Sequence, residues 1–267
     1  MRNIIVILIL MIFINSSLAD DRRFTFTYES STLAKNSKDI EVWTTYQGGR
    51  NYFYSRFDHR LEFEIGLTDK LQTAFYLNLR NTTSANSKTG KYETEFEWEG
   101  ISSEWKYQAM NKYKDGIGLA PYIEFSFNTR EAELETKLII DKQFSKKFIA
   151  AFNMVAEYEW GFNPAPEKTA KELGLEFDLG LAYDITPKFS IGLESKQRTQ
   201  FPDGKGIEYA SIFLGPNVSY REDSWYFALT YLTQLPAFKR SVNLSDSQFV
   251  LDSQERNNAR LIFGFTL

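Results

Sequence analysis

The chain has 267 residues, a formal net charge of −4, no cysteine, one histidine and 16% aromatic residues. It cannot build a disulfide scaffold, a lipid-modified cysteine or a thiolate metal centre, and its acidic balance argues against wholesale nucleic-acid binding. No run beyond the first 19 residues approaches the roughly 18 consecutive apolar residues of a helical membrane span, whereas alternating strands fit the mean hydropathy of −0.38.

Residues 1–19 begin with Arg2, continue through an apolar run from Ile4 to Ile14 and close on Ser17-Leu18-Ala19. That layout predicts a cleavable export signal cut near Ala19, because the apolar run is too short to span a bilayer as a helix. Residues 20–38, with Phe24, Phe26 and Tyr28, are expected to form an N-terminal periplasmic segment or an extra short strand. Residues 39–267 carry the main fold.

From residue 40 onward apolar side chains recur at every second position, which places them on one face of a strand. Leu61, Phe63, Ile65 and Leu67 alternate with Arg60, Glu62, Glu64 and Gly66, and Thr73, Phe75, Leu77 and Leu79 follow the same rule. The longest run, Leu173 to Tyr183, has six apolar positions separated by Gly174, Glu176, Asp178, Gly180 and Ala182. Twelve strands are expected, near 39–48, 52–68, 71–81, 92–109, 117–128, 131–144, 148–162, 170–185, 189–201, 207–221, 225–236 and 255–267. The fourth changes phase, with Phe96 and Trp98 on one parity and Ile101 and Trp105 on the other, so a bulge is expected near Gly100. The tenth is also mixed, with Phe213 opposed to Ile212 and Leu214.

Short polar turns, as at Thr186-Pro187-Lys188, alternate with longer loops near 81–91, 162–170, 201–206 and 236–255. The whole pattern predicts an all-β fold, a single transmembrane antiparallel up-and-down barrel in the cell outer membrane, with both termini on the periplasmic side. A soluble sandwich or lipocalin-like barrel is the competing architecture. Strands this long exceed the usual five or six residues of soluble sheets.

The closing strand, with Leu261, Phe263, Phe265 and Leu267 alternating to the end, resembles the C-terminal insertion signal of outer-membrane barrels, although Leu267 stands where that pattern has an aromatic residue. The stretch from Ile40 to Leu79 resembles a group of uncharacterised bacterial outer-membrane proteins, porin-like in architecture. The resemblance implies a Gram-negative outer-membrane location, outer-membrane lipid around the barrel and the barrel-assembly machinery as a partner during insertion. It implies no chemistry.

The inward face is acidic. Candidate pore-lining residues are Arg60, Glu62, Glu64, Arg80, Glu124, Glu157, Glu176, Asp178, Glu194, Arg198 and Arg260. An acidic water-filled lumen concentrates cations, so a small porin-like channel passing small solutes or cations is expected, without cofactor, metal or nucleic acid. The alternative is a barrel plugged by its own paired charges, with a structural or surface-interaction role. An outer-membrane lipid hydrolase, with His59 as its base, is a further alternative, although enzyme activity is not expected. Barrel phospholipases place their serine two residues from the histidine, and here that position, after His59, is Leu61.

Overall fold

A computed structural model describes residues 22–86, 89–162, 171–203, 205–236 and 248–267. The export signal expected at 1–19, its cut near Ala19 and parts of the loops at 162–170 and 236–255 lie outside the described residues. Twelve strands follow in chain order: β1 (Lys38–Gly48), β2 (Tyr54–Thr68), β3 (Leu71–Ala85), β4 (Tyr92–Tyr107), β5 (Gly118–Phe127) and β6 (Glu131–Gln143), then β7 (Phe148–Gly161), β8 (Lys171–Asp184), β9 (Phe189–Pro202), β10 (Tyr209–Arg221), β11 (Trp225–Gln234) and β12 (Asn257–Thr266). Each pairs antiparallel with its sequence neighbours, and β1 closes the barrel on β12, with Asp39 opposite Thr266 and Gly48 opposite Asn257. Closure leaves no unpaired sheet edge.

Every expected strand is present, and the largest shift is at β3, which continues to Ala85 rather than ending near residue 81. The alternation has the physical meaning read from sequence. On β8, Phe177, Leu179 and Tyr183 are exposed on the outer wall, while Gly174, Asp178, Gly180 and Ala182 are buried inside. Cross-strand pairing aligns outer residues into a belt: Phe227, Phe263, Val42, Leu61, Leu77, Ile101 and Phe127 are successive register partners around seven strands. Such an apolar band suits lipid and is unfavourable in water.

The phase change in β4 is a bulge. Asn78 pairs with Gly100 and Leu79 with Trp98, so Glu99 is the extra residue. Gly100 has φ of 104°, and a Cβ there would lie 2.2 Å from the Phe127 carbonyl oxygen. The mixed parity of β10 has a different cause: Phe213 points inward and is fully buried against Phe26 and Leu232.

Residues 22–33, placed in the periplasm by sequence reading, are enclosed by the strands. The segment lies at the end that carries the short turns and Leu267, and leaves past the β2–β3 turn, where Asn36 donates its amide to the Gly66 carbonyl (2.8 Å). Phe24, Phe26, Tyr28 and Leu33 are all buried.

Candidate functional site

A segment enclosed in a lumen without strand pairing of its own must find partners for its backbone. The wall supplies them. Glu194 on β9 accepts hydrogen bonds from three consecutive amides, Thr25 (2.9 Å), Phe26 (2.8 Å) and Thr27 (2.7 Å), and another from the Thr230 hydroxyl on β11 (2.5 Å). Asn153 on β7 clamps Tyr28 twice, accepting from its amide (2.6 Å) and donating to its carbonyl (3.0 Å). Asp141 on β6 accepts from the Ser30 amide (3.3 Å) and hydroxyl (2.6 Å), and Gln72 on β3 accepts from the Leu33 amide (2.9 Å). Asn217 donates to the Arg23 carbonyl (2.6 Å) and Arg260 to the Thr25 carbonyl (3.1 Å).

Ion pairs fix the same segment laterally. Arg23 bridges Glu29 and Asp184, each at 3.0 Å, while Lys112, in the β4–β5 turn, bridges Glu29 and Asp141, each at 2.9 Å. Burial pushes the Glu29 carboxyl up, but Lys112 and Arg23 outweigh it and hold the group below its usual value. Burial would lower the Lys112 ammonium, yet Glu29 and Asp141 hold it above its usual range. Arg22 pairs with Glu41 (3.2 Å) and lies over the Trp43 ring at 4.3 Å.

Apolar contacts complete the plug. Phe24 packs with Ile149, Ala151 and Ala182, and Tyr28 with Trp43, Tyr122 and Ile262. Gly180 leaves the room Phe24 needs, since a Cβ there would lie 2.8 Å from its ring. Inward-facing Ile139, Ile149, Phe213 and Ile262 would be misplaced in a water-filled pore, and the plug explains them. Those residues, together with the alternation of Phe24, Phe26 and Tyr28, are the sequence signal that could have located the segment.

Above the plug, toward the long loops, the lumen opens into a cavity of about 570 Å³ whose lining includes Phe26 and Tyr28. The described part of the last loop folds toward the lumen: Val250 is fully buried and exchanges hydrogen bonds with Gln234 (2.7 and 3.1 Å), and Ser253, Gln254 and Glu255 reach the cavity. Eight of the expected pore-lining residues do line it: Arg60, Arg80, Glu124, Glu157, Glu176, Asp178, Arg198 and Arg260. Three do not. Glu62, Glu64 and Glu194 are buried lower in the barrel, Glu194 by its bonds to the plug and the other two in a carboxylate cluster on the wall.

Many charges in the cavity are paired: Arg60 with Glu124 (3.2 Å), Arg80 with Asp58 (2.7 Å) and Glu99 (2.9 Å), and Arg198 with Glu157 (2.5 Å). Eleven acids line it against seven Arg and Lys residues, a formal surplus of four negative charges. The surplus gathers on β6 and β7, where Glu133 faces Glu159 across the ladder and neither has a basic partner within 4.0 Å among the described residues.

His59 on β2 lies beside Thr44 Oγ1 (3.1 Å) and stacks with Phe57. Leu261, Phe263 and Phe265 lie on the outward face of β12, with Phe263 stacked on Trp225 at 5.7 Å, and Leu267 follows the strand, exposed.

A closed twelve-stranded wall, an apolar outer belt and a polar lumen define a porin-like outer-membrane β-barrel. The chain belongs to a family of unknown function (DUF6662), whose model matches residues 16–267. No curated protein matches it. Among solved structures it is similar to the COG4313 outer membrane channel from Pseudomonas putida F1, with a TM-score of 0.65 and 9% identity over 91% of this chain and 100% of that one. The NanC porin matches with a TM-score of 0.55 and 14% identity over 85% and 100%. The β domain of the Bordetella autotransporter BrkA matches with a TM-score of 0.52 and 9% identity over 87% and 100%. A channel, a porin and an autotransporter domain on one architecture show that function must be argued from the lumen, not from the fold.

Proposed function

We propose that the protein resides in the bacterial outer membrane as a porin-like channel whose resting lumen is closed by residues 22–33. Solutes enter the acidic cavity from the long-loop end, and passage requires the segment to leave its seat. Plugging by acid–base pairing across the wall, the alternative read from sequence, is replaced here by plugging with a stretch of backbone.

The observation that carries this reading is the capture of Thr25, Phe26 and Thr27 amides by Glu194. These bonds seat a segment that is not part of the wall inside the lumen. A few charge-assisted bonds, each worth about 1.5–3 kcal/mol, hold such a closed state reversibly. Glu133 and Glu159, without a basic partner among the described residues, favour cations in the cavity once it conducts.

Planar-bilayer recording tests this. The full chain is expected to be mostly silent, whereas a variant lacking residues 22–33, or carrying E194A with N153A, is expected to give discrete steps with reversal potentials favouring cations. Equal, steady conductance from the full chain and the variants would contradict the gate. Silence from a folded, plug-deleted barrel would favour a surface-interaction role for the loop-end cavity.

A further inference from the structure

We infer that Glu62, Glu64 and Glu104 form a binding site for a hard divalent cation, calcium by its chemistry, in the barrel wall beside the plug. The three carboxylates come from β2 and β4, and one oxygen of each lies within 4.8 Å of the others. All three residues are buried, at 1%, 2% and 0% exposure.

The orientation of the oxygens points to a ligand. Gln72 donates to Glu64 Oε1 (2.9 Å), and the Tyr76 hydroxyl donates to Glu104 Oε2. Those donors hold two of the carboxylates in place and leave Glu64 Oε2 and Glu104 Oε1 without a hydrogen-bond donor among the described residues. The Glu62 carboxyl has no donor among the described residues other than the Glu64 carboxyl beside it. Three carboxylates that converge sealed from water are costly unless a positive charge or a proton occupies the space between them.

The same stretch of wall gathers further buried charges, Asp39 and Glu41 on β1 and Lys106 on β4, with Arg22 of the plug paired to Glu41. Oxygen-only donors in an irregular, buried set suit calcium, which accepts variable geometry, better than magnesium, which demands a near-ideal octahedron and retains waters. Glu62 is the register partner of Glu41, and Glu41 holds Arg22 of the plug, so a bound cation would relieve repulsion directly beneath the plug's first anchor.

The test uses the full chain folded in detergent, stripped with chelator and titrated with calcium alone. The readouts are the temperature at which the folded band is lost on a semi-native gel and the calcium retained after gel filtration. A saturable rise in unfolding temperature and about one calcium per chain are expected, with affinity falling roughly tenfold or more in E62Q and E104Q. Glutamine keeps the side-chain volume, and E93Q, on the exposed part of β4, serves as the control that should retain the response. No saturable effect on the full chain would overturn the site, as would an equal response in E62Q and E104Q. Stripped protein that is stabilised by these glutamine substitutions and indifferent to calcium would also overturn it, assigning a shared proton to the cluster. None of these readouts requires the barrel to conduct, so they stand or fall apart from the gate.

Discussion

Glu29 and Lys112 connect the plug to the wall through groups that titrate, so the closed state has a pH window whose sign follows from their shifts. A carboxyl held below its usual value of 4.5 stabilises the closed form above that pH and loses its contribution as pH falls through the lowered value. A lysine held above 10.5 contributes fully below that pH and loses its contribution as pH rises through the raised value. The plug is therefore expected to be fully anchored between about pH 5 and 10, and conductance of the full chain is expected to rise below about pH 4. The variant E29Q should already leak at neutral pH and lack the acid-induced step; a flat profile in the full chain from pH 3 to 7 would remove Glu29 from the gate.

Individual strands were legible because the period of two leaves one apolar and one polar face, and Leu173 to Tyr183 shows it without interruption. The bulge in β4 was equally legible, since only an extra residue moves Trp98 and Ile101 to the same side. Its glycine is required: Gly100 has positive φ and abuts the Phe127 carbonyl. The substitution G100A is expected to cost about 1–3 kcal/mol, read as a lower urea midpoint for the folded band. An unchanged midpoint would mean that the bulge relaxes freely. Phe213 was not legible. Its inward orientation is determined by Phe26, a residue nearly two hundred positions earlier, and no local period reports such a partner. Glu62, Glu64 and Glu194 were correctly assigned to the inward face, but parity gives no depth, and depth separates the eight residues that line the cavity from the three sealed below it.

At the scale of the whole molecule, the twelve-stranded barrel supplies a rigid frame, its outer belt the contact with lipid, and its lumen a cavity that ends on its own N-terminal segment. The two faces of the wall do different physical work. Outward residues exclude water from the belt, whereas inward residues near the termini substitute for water around a second length of backbone. The closed lumen is the central claim, and thiol labelling tests it most directly, since the chain has no cysteine of its own. Thr25 is fully buried beneath Glu194. In T25C, a bulky water-soluble maleimide is expected to leave the folded barrel unlabelled, and adding E194A with N153A is expected to make the thiol reactive. Labelling of T25C alone, at the rate of an exposed cysteine in a barrel still folded by its gel shift, would contradict a lumen closed by residues 22–33.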